Sequence, residues 1–279
     1  MRTNIATSLS VSVVLYNSPV EQLNTLLESL IAAIERLRKR YSLGTTPIYL
    51  VDNSDYKKSE LEFIGNKEAF KKHQIILSHI GGHGNIGYGS AHNLAMRQLR
   101  SDFHLILNPD VFIEADALCR ALEVLLNDKS IVMLSPSANS PLGNKLHLCK
   151  RYPSALVLLI RGFLPNKAKT LFRTRLAKYE MHELEETDLP TKVPIASGCF
   201  MLVKTESWRE IKGFDKRYFL YFEDFDLSLR MSKLGKLVYA PSVKIIHGGG
   251  DASKKGLWHI FNFVKSGFRF FNTHGWNIF

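Results

Sequence analysis

Cysteine is scarce in this chain and never closely spaced. Cys119, Cys149 and Cys199 are scattered with no C-x-x-C pair, which argues against a zinc ribbon or a disulfide framework and points to a reducing compartment. Long apolar runs are missing too. The longest aliphatic stretch, ALVLLI at 155–160, falls far short of the roughly 20 residues that cross a bilayer. The opening MRTNIATS has no apolar core, so no signal peptide is expected. There is no internal repeat, no low-complexity tract and no G-K-[ST] phosphate loop. A soluble or peripheral protein is expected.

Acid is absent from two long blocks. None lies between Asp128 and Glu180, a stretch that holds ten basic residues: Lys129, Lys145, Lys150, Arg151, Arg161, Lys167, Lys169, Arg173, Arg175 and Lys178. None follows Asp251, where Lys254, Lys255, Lys265 and Arg269 are interleaved with Trp258, Phe261, Phe263, Phe268, Phe270, Phe271 and Trp276. With a net charge of +11 over 279 residues, these blocks suit an anionic partner: nucleic acid, lipid headgroups or a phosphorylated substrate. A plain solvated basic face accounts for the first block equally well. The aromatic residues of the second favour a membrane interface. Read as a helix, that tail gathers Leu257, Ile260, Phe261, Val264 and Phe268 into one apolar stripe, which either meets lipid or packs on the rest of the chain.

What is present in the first half is a regular alternation. LSVSVVLY (9–16), IYLV (48–51), QIILSHI (74–80) and FHLIL (103–107) read as short apolar strands. Ser18, Pro19 and Glu21 supply an N-cap, a first-turn proline and a capping-box acid for a helix over about 20–40. Further helices are expected after the glycine loop, to about Leu99, and over about 115–126. This pattern predicts an α/β fold with a mostly parallel sheet covered on both faces. VMLS (132–135) and ASGCFMLV (196–203) read as later strands, separated by a long basic insert, 136–192.

Functional groups in such sheets gather at the carboxyl ends of the strands. Those ends are Tyr16-Asn17, Asp52-Asn53, the loop GGHGNIGYGS and Asn108-Pro109-Asp110. The glycines of the loop allow close backbone approach to a phosphate, although a plain surface loop reads the same way. Asp110 is a hard oxygen ligand for a divalent ion bridging a diphosphate, or a turn carboxylate. Asp52 can accept from a base ring N–H or shape an Asx turn. His247, ending VKIIH, is a metal ligand or a structural histidine.

The densest chemistry is FLYFEDFDLSLR (219–230), with Glu223, Asp224 and Asp226 among Phe219, Leu220, Tyr221, Phe222 and Phe225. First-turn acids suit a helix dipole, with Gly235 as a stop. The dipole leaves the aromatic crowding unexplained. Crowding by Glu223 and apolar walls would raise the Asp224 pKa towards that of a working base for a hydroxyl proton.

Taken together and in order, LSVSVVLYNSP, YLVDNSD, GNIGYGSAHN, LILNPD, SGCFMLV and GFDKRYFLYFEDFDLSLR resemble family 2 glycosyltransferases of the GT-A fold, rhamnosyltransferase-like branch. The resemblance covers about 9–250. It implies a catalytic domain over 1–250, with 136–192 facing acceptor or membrane, and a C-terminal helical tail over 251–279. Tyr16, Asn17 and Asp52 would bind the nucleoside of a nucleotide-sugar donor. Asn85, Gly87 and Gly89 would line the sugar-diphosphate path, with Asn108 beside it. Asp110 matches the metal-binding acid for Mg²⁺ or Mn²⁺, and His247 sits where some members place a metal-facing histidine. Asp224 matches the base of the E-D motif, preceded by Glu223. Many relatives carry D-x-D where this chain has Asn108-Pro109-Asp110.

The implied reaction is inverting transfer, with L-rhamnose from dTDP-rhamnose as the expected donor and galactofuranose or a hexose from a UDP donor as the alternative. The implied acceptor is a glycan, polyprenyl-diphosphate-linked, in bacterial cell-surface polysaccharide or O-antigen synthesis. The implied place is the cytoplasm, peripheral on the inner face of the cell membrane. Three rivals are weaker. A nucleotidyltransferase would carry a glycine- and arginine-rich loop where Tyr16-Asn17-Ser18-Pro19 stands. A nucleic-acid-binding protein would show a motif with its charge, so no nucleic-acid partner is expected. A catalytically dead glycan-binding module would not keep both Asp110 and Asp224.

Overall fold

The computed structural model describes residues 3–54, 67–248 and 256–279. Strands β1 (Leu9–Leu15), β2 (Thr46–Asp52), β3 (Ile75–Ile80) and β4 (Phe103–Leu107) form the first half of the main sheet. β1 lies between β2 and β4 and is parallel to both, and β2 is parallel to β3. All seven residues of β1 are buried, as both faces of a central parallel strand must be. The second half adds β5 (Val111–Ile113), β6 (Ile131–Asn139), β7 (Thr191–Lys192), β8 (Phe200–Lys204) and β9 (Lys236–His247). The long path across the sheet runs β7-β9-β6-β8-β4-β1-β2-β3. β8 is antiparallel to both β4 and β6, whereas β9 is parallel to β6. The expected parallel sheet therefore holds for β1 to β4, and an antiparallel strand is inserted at its middle.

Helices α1 (Val20–Arg40) and α3 (Ala117–Asn127) bury their apolar stripes on one face of this sheet. Helices α2 (Tyr88–Met96) and α6 (Glu223–Met231) help build a second core on the other. α4 (Ala155–Phe163) and α5 (Arg173–Tyr179) come between them in the chain, and α7 (Gly256–His274) follows. The start of α1 differs in detail from the capping-box expectation. Pro19 occupies the cap position without a side-chain bond, and the Ser18 hydroxyl instead accepts from the Tyr16 N–H at 3.3 Å. α2 ends at Met96, short of Leu99, because the chain turns there: the Leu99 and Gln98 N–H groups bond back to Met96 and Ala95.

A third core joins the insert to the tail. Val157 and Leu158 from α4, Tyr179 from α5, Phe222 and the Phe270-Phe271 pair of α7 are all buried in it. The tail is thus part of the same packed body. The Ser266 hydroxyl donates to the Leu220 carbonyl at 2.8 Å, and a Cβ at Gly267 would come 3.2 Å from the Phe222 ring. The expected stripe turns the other way. Leu257, Ile260, Phe261, Val264 and Phe268 are all exposed, so α7 has two apolar faces and only one is covered. Lys254 and Lys255 lie outside the described residues.

This division of α7 sets an expectation for stability. Phe270→Ala removes a side chain with 0% exposure and should cost about 3–5 kcal/mol. Phe261→Ala, at 65% exposure, should stay within about 0.5 kcal/mol. Guanidinium unfolding of the two variants checks the contrast.

Candidate active site

The sheet order places a crevice where β1 sends the chain to β2 on one side and meets β4 on the other, the topological switch point. A cleft of about 460 Å³ opens there, walled by Tyr16, Asn53, Asn85, Gly87, Tyr88, Asn108 and Asp110, with Phe219, Trp258 and His259 opposite. Its size suits a nucleotide-sized ligand.

The glycine loop is held tightly. The Asn85 side-chain oxygen accepts from the Gly87 N–H at 3.1 Å, and the Asn53 amide donates to the Gly87 carbonyl at 3.2 Å. Gly87 has φ +87°, and a Cβ there would lie 2.3 Å from the Phe219 carbonyl oxygen. Only glycine fits that approach. Gly89 lies behind the cleft wall, where a Cβ would strike the Phe214 side chain at 2.7 Å. Its smallness serves the packing of α2, and it is not among the residues that wall the cleft, where the resemblance implies a place on the sugar-diphosphate path.

At the other end Tyr16 is 54% exposed and Asn17 adopts φ +50°, its N–H donating to the Ser54 hydroxyl. Asp52 closes the Asx turn: its Oδ1 accepts from the Ser54 N–H at 2.9 Å, while Oδ2 lies 3.9 Å from His79 Nε2. Asn53, one residue on, lines the cleft.

Asp110 and His247 meet, although 137 positions separate them in the numbering. Strand pairing sets His247 opposite Val111, and His247 Nε2 comes to 3.2 Å from Asp110 Oδ1. The Gly248 N–H donates to the Asp110 carbonyl at 2.9 Å, which fixes the corner.

The three acids of α6 have three different environments. Tyr221 and Phe222 precede them in the left-handed region, at φ +67° and +63°. Two such non-glycine residues in succession cost on the order of 1–3 kcal/mol each. They are held there by the Phe222 contacts with Phe263, Phe270 and Gly267. Asp226 is 1% exposed and fully engaged, by Arg230 at 2.7 Å and by His274 of α7 at 2.8 Å. Glu223 is buried, and its Oε2 has no hydrogen-bond partner among the described residues. Burial and then the adjacent Asp224 charge push its pKa well above the usual carboxylate range. Asp224 accepts from the Gly198 N–H at 3.1 Å and the Phe225 N–H at 3.0 Å. Burial raises it only to about 6, because those N–H groups favour the anion. Asp224 therefore ionises before Glu223, whose charged form is disfavoured by burial and then by the Asp224 charge.

Tyr88, Gly198, Trp258 and His259 carry no local signal of a site role. Tyr88 and Gly198 fall within GNIGYGSAHN and SGCFMLV, and their place depends on contacts between α2 and the turn before β8.

A sheet of this order, with a nucleotide-sized cleft at its switch point and a paired acid beside it, defines the GT-A class. Solved structures agree on the fold. The chain matches a structure of GalNAc-T7 with UDP, GalNAc and Mn²⁺ at a TM-score of 0.62 and 17% identity, covering 86% of this chain and 43% of that one. It matches the mannosyltransferase PcManGT of Pyrobaculum calidifontis, solved with GDP-Man and Mn²⁺, at 0.56 and 15%, covering 87% and 57%. The particular family follows from sequence: the model for glycosyl transferase family 2 matches residues 10–211, and the chain belongs to that family. Among curated relatives, an N-acetylglucosaminyl-diphospho-decaprenol L-rhamnosyltransferase of Mycobacterium tuberculosis is 31% identical over 183 residues, 58% of this chain and 56% of that protein. The chain thus spans little more than half the length of that relative. The rhamnosyltransferase WbbL of Escherichia coli is 26% identical over 242 residues, 78% and 84% of the two chains.

The contrast between the acids can be measured without substrate. Asp226→Ala leaves Arg230 and His274 without their shared carboxylate in a buried place. It should destabilise the fold by about 3–5 kcal/mol in denaturant unfolding.

Proposed function

We propose that this chain is an inverting glycosyltransferase that moves a sugar from a nucleotide-sugar donor to a hydroxyl of a lipid-linked glycan. The observation that carries the reading is Asp224, the one acid of the α6 cluster that neither pairs with Arg230 and His274, as Asp226 does, nor lacks hydrogen bonds to its carboxylate oxygens, as Glu223 Oε2 does. The rhamnosyltransferase names of the two relatives support L-rhamnose as the sugar, and the decaprenol-linked substrate in one name supports a polyprenyl-diphosphate acceptor; dTDP-rhamnose is the donor that the family resemblance implies.

In this reading the Asp224 carboxylate takes the acceptor hydroxyl proton while that oxygen attacks the anomeric carbon, and the nucleoside diphosphate departs from the opposite face. Glu223, whose charged form burial disfavours more strongly, is the poorer candidate for taking the proton. Tyr16, Asn17 and Asp52 would hold the nucleoside, and Asn85, Gly87 and Asn108 the sugar-diphosphate. Asp110 and His247 fit a divalent ion: a carboxylate that lines the cleft and an imidazole 3.2 Å from it. That mixed set suits Mn²⁺ better than Mg²⁺. When bound, such an ion neutralises charge on the departing diphosphate.

The uncovered face of α7 supports an anionic membrane surface as the place of reaction. Lys265 is exposed beside the apolar stripe, and Arg173, Arg175 and Lys178 are exposed on α5 near Leu171, itself 84% exposed. Not every basic residue of the insert is available. Lys150 is buried against Glu180, with burial lowering its pKa to about 8. Arg161 also pairs with Glu180, and Arg269 donates to the Arg217 carbonyl. No helix among the described residues is long and apolar enough to cross a membrane.

Asp224→Asn should lower transfer by at least ~10²-fold and leave nucleotide-sugar affinity nearly unchanged, as measured by turnover assay and calorimetry with dTDP-rhamnose. Wild-type activity should rise with pH through about 6 as Asp224 loses its proton. Near wild-type turnover in Asp224→Asn would remove it as the base.

The membrane reading needs a variant that spares the third core, and deletion of the tail does not. Phe261→Glu with Val264→Glu alters only exposed positions. It should weaken binding to phosphatidylglycerol vesicles by about 10-fold or more, with melting and activity on a short soluble acceptor unchanged. Undiminished vesicle binding would rule out this face.

A further inference from the structure

Tyr88 stands between the cleft and the acid pair and is tied at both ends. Its N–H donates to the Phe219 carbonyl at 3.1 Å, at the start of the acidic motif. Its phenol donates to the Gly198 carbonyl at 2.6 Å. The same Gly198 donates its N–H to Asp224 Oδ2 at 3.1 Å. Gly198 is also clamped sterically: a Cβ there would lie 3.2 Å from the Tyr88 ring and 3.5 Å from the Asp224 Cβ. The ring is held edge-on against His92, with centroids 4.6 Å apart, and against Phe214 at 6.0 Å. The phenol therefore has one orientation, and one residue, Gly198, links it to the carboxylate: the phenol holds the carbonyl on one side of the Gly198 Cα, and Asp224 holds the N–H on the other.

We propose that Tyr88 is the positioning residue for Asp224, acting through Gly198 to fix where that carboxylate lies beside the cleft. The inference rests on the function proposed above only in calling Asp224 the base. A rigid carboxylate matters because proton transfer and attack must share one geometry, and a misplacement of about 1 Å can cost 10²-fold in rate. If Tyr88 merely filled space, phenylalanine would serve as well, since the ring contacts do not use the hydroxyl.

The groups facing Asp224 make its titration readable. Glu223 on the same helix is raised by burial and then by the Asp224 charge, and the Tyr88 phenol by burial and by the surrounding thiol and acids. Burial pushes the Cys199 thiol, beside Gly198, up to about 12, and raises Tyr179 of α5. Losing the Tyr88 hydroxyl releases the Gly198 carbonyl, loosens that residue and with it the N–H that meets the anion, and raises the Asp224 midpoint.

The test uses the full chain as Tyr88→Phe, Gly198→Ala and Asp224→Asn beside the wild type. Carbon-detected titration of the aspartate carboxyls follows Asp224 without substrate, and kcat and KM for dTDP-rhamnose are measured across pH. In Tyr88→Phe the Asp224 midpoint should move from about 6 towards about 7. Its kcat should fall roughly 10-fold, most at low pH, with donor KM unchanged. Gly198→Ala, which keeps the phenol and wedges a methyl against it, should displace the midpoint and kcat in the same sense and carries the test if Tyr88→Phe melts early. A folded Tyr88→Phe protein with the wild-type midpoint and pH profile overturns the proposal. A displaced midpoint together with an active Asp224→Asn supports the positioning and overturns only the assignment of Asp224 as base.

Discussion

The packing of Phe222 against Phe263, Gly267 and Phe270 is the constraint on which the candidate site depends. Tyr221 and Phe222 occupy left-handed backbone that neither residue favours on its own. That conformation starts α6 and aims its first-turn acids. A chain that only needed a helix here would begin it with a relaxed turn. The aromatic crowding of FLYFEDFDLSLR is thus the device that fixes a strained backbone, besides being the apolar wall that raises carboxylate pKa values.

From that fixed start the three acids separate by environment. Asp226 receives Arg230 from the next turn of its own helix and His274 from the far end of α7, so it joins tail to domain. Glu223 has no partner for one oxygen among the described residues, and burial pushes its pKa well up. Asp224 receives two backbone N–H groups and is left near the pH where a base works best. The same desolvation acts on all of them. Hydrogen bonds and neighbouring charge decide which acid keeps a usable anion.

The tail links this arrangement to the molecular surface. Its inner face supplies Phe270, Phe271, Ser266 and Gly267 to the third core, while its first turns bring Trp258 and His259 to the cleft and Tyr221 bonds His259 at 2.8 Å. Its outer face leaves five large apolar side chains uncovered. One helix therefore touches the strained turn, the cleft wall and the exposed patch, which puts the mouth of the site close to whatever covers that patch.

Much of this was legible in the residues alone. The four parallel strands, the helix over 20–40, the strand ends as site and the acid cluster all follow from local pattern, because strand burial and helix periodicity are written at spacings of two and 3.6 residues. The family resemblance selected Asp224, Asp110 and His247, and the structure brings the last two together. Other features depended on distant segments. The antiparallel placement of β8, the burial of Lys150, the turning of Gly89 towards Phe214 and the choice of which tail stripe is covered have no local signature. The apolar stripe at 257–268 was correctly seen as a stripe, yet periodicity cannot say which of two apolar faces meets the core. The sequence by itself determined the elements, the charge blocks and the residue types at the strand ends. Only the tertiary structure decided which acid is neutralised, which is desolvated without a partner and which is held ready by Gly198 and Tyr88, because an ionisable group is set by neighbours that arrive from far along the chain.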